Sequence, residues 1–108
     1  MFLCGDFDVI RSVLLLKPLP GRRDDLVEAF RRIGVFQAAI RHASCVSAEL
    51  QVPDDPDGVV MVTALWPNRE LYASYLASDL RRKLGEGLVP LVEQIGEGAI
   101  YEILLSAP

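Results

Sequence analysis

The chain has 108 residues, the length of a single ordinary domain. Of these, 51% are apolar and 24% charged, which is a globular composition and not a disordered one. The net charge of −4 argues against a phosphate-binding surface and so against nucleic acid, and no apolar run approaches the roughly 20 residues of a membrane span.

The mean hydropathy is +0.27, high for a small domain that keeps a water-facing surface. The surplus apolar area is expected to lie in a subunit interface. Cys4 and Cys45 are too few for a disulfide scaffold and fit no metal spacing. Both read as free thiols in a reducing compartment, the cytoplasm. The N-terminus lacks a basic segment and carries Asp6 and Asp8, unlike a signal peptide. Residues 1–108 are read as one domain, with 1–8 as an extension whose Phe2, Leu3 and Phe7 could pack on a dimer.

In chain order, residues 9–17 are rich in leucine and β-branched side chains and stop at Pro18 and Pro20, which predicts a strand. Val13 and Leu15 face one way, Leu14 and Leu16 the other, so both faces are expected to be covered. Residues 22–43 predict a helix with Asp24 and Asp25 in its first turn. Leu26, Phe30, Ile33, Gln37 and Ile40 share one face by spacing, and Gly34 marks a bend. Gln37 is the polar member of that stripe, either at its edge or lining a cavity.

Residues 44–52 alternate as a half-solvated strand, and 59–66 form a nearly continuous apolar one. The Pro- and Asp-rich loop between them makes the pair an antiparallel hairpin. Its Asp54, Asp55 and Asp57 lack the later Glu of a calcium loop and read as a solvated turn. Asn68 is placed to cap a helix over 69–84, with a restart at Ser78-Asp79. A short helical stretch, Leu88 to Ile95, and a final strand over 99–105 follow. The order βαββαβ predicts an α+β, ferredoxin-like fold with one four-stranded antiparallel sheet. Its helix-free face is apolar, and two such faces packed together predict a homodimer.

The strand closing on Trp66, followed by Leu71-Tyr72-Ala73-Ser74-Tyr75-Leu76-Ala77-Ser78, resembles the antibiotic biosynthesis monooxygenase family. The Pro20-Gly21 turn and the segment Ser44-Cys45-Val46-Ser47-Ala48-Glu49-Leu50 resemble that family's turn and second strand. The resemblance covers about residues 10–105 and implies a dimeric α+β barrel with a pocket between sheet and helices. It implies a cofactor-free oxygenase of aromatic, polyketide-type molecules, with no metal. Trp66 matches the family tryptophan that lines the pocket, and Tyr72 falls where polyketide oxygenases of the family place a functional tyrosine. Those two are the candidate catalytic residues. Tyr75, Gln37, Phe30, Leu14 and Val62 are the candidate substrate-binding residues. Haem-degrading relatives carry Asn and His where this chain has Leu14 and Tyr75, which argues against haem degradation. The third strand offers Val60, Val62 and Ala64 where polyketide oxygenases often carry an Asn.

The residues themselves suit this chemistry. A Tyr hydroxyl or Trp N–H can stabilise a developing oxyanion, and their rings suit a flat guest. His42 ends the first helix, where the helix C-terminus is reason enough for it. Arg81-Arg82-Lys83 reads as a solvated helix face that could also pair with an acidic substrate group. Arg22 and Arg23 stand at the unfavourable end of their helix, with Asp24 and Asp25 as the nearest offsets. Two other functions share the fold: a non-oxidative polyketide cyclase or isomerase, and a non-catalytic dimeric binding module. The last predicts a pocket collapsed onto Phe30, Phe36, Trp66 and Tyr72.

Overall fold

The computed structural model describes residues 9–108. The expectations for residues 1–8 and for Cys4 lie outside them. The order is β1 (Ile10–Pro18), α1 (Arg23–Ile33), α2 (Val35–Ala43), β2 (Ser47–Gln51), β3 (Val60–Trp66), α3 (Arg69–Leu76), α4 (Asp79–Glu86), β4 (Val92–Ile95) and β5 (Ala99–Glu102). The strands run β2-β3-β1-β4, with β5 also on β1 and every pairing antiparallel. This is the expected ferredoxin-like α+β fold.

The sheet edge and the first helix differ from expectation. The sheet has five strands rather than four, because the last strand is split. β4 pairs with the end of β1 (Leu16, Lys17, Pro18) and β5 with its start (Ile10 to Val13). Between them the Gly96 N–H donates to the Leu15 carbonyl at 2.9 Å, so one edge is shared by two short pieces. The expected helix Leu88 to Ile95 is therefore a correction. Only Val89–Leu91 is helical, as one 3-10 turn, and Val92 onward is strand. The β1 edge needs backbone partners, and tertiary pairing overrides the local helical pattern.

The bend at Gly34 is a full break. Gly34 has φ 73° and is at once the C-cap of α1 and the N-cap of α2. A left-handed backbone suits glycine because it has no Cβ to clash. The break re-phases the apolar stripe. Leu26 and Phe30 are buried before it, and Val35 and Ala39 after it. Gln37 and Ile40, which a continuous helix would bury, are exposed. The helix starts are built as expected. The Asn68 side chain accepts from the Leu71 N–H at 2.9 Å, and Ser78 Oγ accepts from the Arg81 N–H at 3.1 Å. Arg22 pairs with Asp25 and Arg23 with Asp24, offsetting the cations at the start of α1.

β1 sits centrally between β3 and β4/β5. Its register on β3 (Ile10 on Trp66, Ser12 on Ala64, Leu14 on Val62, Leu16 on Val60) puts all eight side chains on the face the helices cover. The opposite face carries Val13, Leu15, Met61 and Leu65. There Leu15 is 41% and Met61 40% exposed. Among the described residues, no helix is long and apolar enough to cross a membrane.

Candidate active site

The helix-covered face does not close completely on the helices. A cavity of about 180 Å³ remains between β1, β3 and helices α1 to α4. Of the seven candidate residues, Trp66, Tyr72, Tyr75, Phe30, Leu14 and Val62 line it. Gln37 does not. It is exposed on α2, because the Gly34 break turns it away from the stripe it was counted with. His42 also stands outside this cavity, exposed in the last turn of α2.

The interior has two ends. Leu16, Leu26, Phe30, Val35 and Leu84 form a purely apolar cluster, with Phe36 tilted against Phe30 at 5.6 Å between ring centroids. The other cluster holds Ile10, Ala39, Cys45, Ala64, Trp66 and Tyr72. There Trp66 meets two tyrosines, with centroids 5.3 Å from Tyr72 and 5.1 Å from Tyr75. Tilted aromatic contacts of this kind hold the rings in place beyond simple burial.

Polar atoms are concentrated at this second end. The buried Trp66 Nε1–H donates to Ser12 Oγ at 3.0 Å. Ser12 also lies beside the Tyr72 phenol, where its hydroxyl favours the ionised form. The Trp66 N–H, expected to face a guest directly, is thus engaged with the protein. It holds Ser12 in place next to Tyr72. Gly98 faces the same hydroxyl. A Cβ there would lie 3.1 Å from Tyr72 Oη, so the loop between β4 and β5 leaves this group its room.

Burial pushes the phenols of Tyr72 and Tyr75 above the usual tyrosine range, and the Arg81 guanidinium partly offsets it at both. Both therefore stay protonated at neutral pH and act as donors rather than bases. Cys45 also lines the cavity, its Sγ–H donating to the Ser47 carbonyl at 3.2 Å, and burial raises this thiol. No group of His, Cys, Asp and Glu among the described residues could hold a metal ion.

The sequence reading missed Ser12. Its signal was present: one hydroxyl on the core face of an apolar strand, in step with Leu14 and Leu16. A buried hydroxyl requires a partner, and the register supplies Trp66 diagonally across β3.

No protein-family model and no curated protein matches the chain. Solved structures do match its fold. SnoaB, a cofactor-independent oxygenase from Streptomyces nogalater, is 20% identical with a TM-score of 0.74, over 94% of this chain and 98% of that one. A protein of Chloroflexus aurantiacus provisionally assigned as an antibiotic biosynthesis monooxygenase is 22% identical with a TM-score of 0.67, over 93% and 97%. A conserved protein from Methanosarcina mazei reaches a TM-score of 0.75 at 12% identity, over 91% and 95%. The chain has the fold of these proteins, as its sequence resemblance implied.

Proposed function

We propose that the chain is a cofactor-independent monooxygenase of a flat, aromatic, polyketide-type molecule, working as a homodimer. The observation that carries this reading is the group of Trp66, Ser12 and Tyr72 set into a largely apolar cavity. The likeness in fold to SnoaB supports it. The cavity is open beside Trp66 rather than filled by Phe30, Phe36, Trp66 and Tyr72, which favours a guest over a solid core.

An oxygenase without metal or flavin needs a substrate that can itself reduce oxygen. An anthrone-like molecule meets this need. Its activated methylene loses a proton to water, and the electron pair moves into the ring as a phenolate. Tyr72, its hydroxyl backed by Ser12, donates to that phenolate oxygen and lowers the barrier to forming it. The phenolate passes one electron to O2, the two radicals join as a C–O bond, and the protonated peroxide loses water. One oxygen atom ends as the quinone carbonyl and the other in water. The cavity is smaller than the roughly 300–1,000 Å³ of ordinary ligand sites. A guest of this kind therefore extends into the mouth, where Leu76, Val89 and Ile95 are exposed.

The homodimer covers the helix-free face, where Leu15 and Met61 stand in water in a single copy. Sedimentation at micromolar concentration reads it directly, and a monomer contradicts it. The catalytic reading is tested by mixing metal-free protein with an anthrone in air. Oxygen uptake and quinone absorbance are expected to saturate with substrate, and to fall in the Trp66→Phe, Tyr72→Phe double variant. Rates no faster than the spontaneous background sink the oxygenase reading. Product formed without oxygen moves the site to the non-oxidative cyclase or isomerase class.

A further inference from the structure

Among the described residues, one charged side chain lines the cavity. Arg81, in the first turn of α4, contributes to the wall together with Tyr72 and Tyr75, and no carboxylate of the described residues lines it. Its neighbours are different. Arg82 pairs with Asp79 at 3.6 Å and with Glu86 at 3.0 Å, so the two acidic side chains of α4 are already taken. Lys83 is exposed to water. Arg81 is half-buried and has no ion pair among the described residues. A guanidinium held against apolar walls has lost part of its hydration, and a planar oxyanion restores it best through two parallel hydrogen bonds.

We propose that the cavity takes an aromatic guest carrying a carboxylate, which Arg81 binds at the cavity wall beside Tyr75. This rests on the reading of the cavity as an aromatic-binding pocket and adds the acidic group. Two further observations favour a group charged before any reaction over charge formed during it. Arg81 is permanently charged, so its loss of hydration is present in the resting protein and is offset by a ligand that arrives ionised. The oxygen that becomes charged in the reaction already has its own donor, Tyr72, at the more deeply buried Ser12 end. The net charge of −4 also repels anions overall, so an acidic guest needs a local cation to enter. The influence of Arg81 on both phenols places its charge within reach of Tyr72 and Tyr75.

Calorimetric titration of the full chain at neutral pH with 2-naphthoate and 2-naphthamide tests this. The two probes share ring and shape and differ in charge. A hydrogen-bonded charge pair predicts that naphthoate binds about ten- to a hundredfold tighter than the amide. Arg81→Gln is expected to abolish that preference. Lys83→Gln, on the solvent side, is expected to keep it. If Arg81→Gln does not fold, Arg81→Lys keeps the charge but loses the fork, and is expected to narrow the preference for naphthoate. Equal binding of the two probes by the wild type overturns the proposal and leaves the aromatic pocket standing. A preference that survives Arg81→Gln overturns the assignment to Arg81. Failure of both probes to bind overturns the pocket reading itself, and this proposal with it.

Discussion

The two ends of the interior share one sheet face and the same helices, yet they are built differently. Around Leu26 and Phe30 the cluster of buried residues is aliphatic and phenyl, and Leu26 is 0% exposed. Around Trp66 every ring carries a polar tip, and the Trp66 N–H is bonded to Ser12. An apolar end tolerates change of shape at a cost in stability but has nothing to align. A hydrogen-bonded end depends on the placement of a few atoms, and one lost partner leaves another group stranded. With the proposed function, the difference teaches that stability and chemistry are divided along β1, with Leu16 at one end and Ser12 at the other.

Substitutions at the two ends separate these roles. Leu26→Ala is expected to destabilise the fold by about 2–5 kcal/mol in urea unfolding, through lost burial and the void left behind. Its turnover per folded molecule is expected to stay near that of wild type. Tyr72→Phe reverses the pattern. Loss of the donor to the oxyanion is expected to lower kcat by roughly 10²–10³, with a urea midpoint close to wild type. An equal loss of stability in both variants would break the division.

Ser12→Ala lies between them. It leaves the buried Trp66 N–H without its acceptor, at a cost of about 1–3 kcal/mol. The emission of Trp66, the only tryptophan of the chain, is expected to shift, and turnover to fall with it. A variant that changes neither emission nor turnover would detach Ser12 from the site.

The smallest effect is on alkaline stability. Burial raises the phenols of Tyr72 and Tyr75 above the ordinary tyrosine value of about 10, so the folded state keeps protons that the unfolded chain has released. This contribution is complete below pH 10 and is lost as pH rises through the folded values. The urea midpoint of wild type is expected to fall above about pH 10, and that fall to flatten in Tyr72→Phe and in Tyr75→Phe. Tyr101→Phe, on the exposed β5, provides the comparison.

Much of this architecture was legible in local signals. Asn68 and Ser78 cap helices, as side-chain oxygens ahead of amphipathic runs should. Trp66 ends its strand with Val62 and Ala64 on its own side, as alternation requires. Misreadings came where one period was carried across a break. Counting fours and threes through Gly34 put Gln37 on the buried face, although one left-handed residue resets the phase of everything after it. The run from Leu88 to Ile95 is apolar enough for either helix or strand. Only the unfilled hydrogen bonds of β1, far away in sequence, decide between them. Ser12 was hidden for the opposite reason, because a lone serine has no pattern until the register brings Trp66 to it.

The split edge strand has a consequence for the chain in concentrated solution. A sheet edge is a template on which another molecule can add a strand, and long, flat, apolar edges seed aggregates. Here one edge is broken into two four-residue pieces at Gly96. The other, β2, is five residues long and shows Ser47, Glu49 and Gln51 to water. Neither edge offers a long run for an incoming strand. A chain with so much apolar surface can present its broad sheet face to a partner without its rims recruiting further copies into fibres.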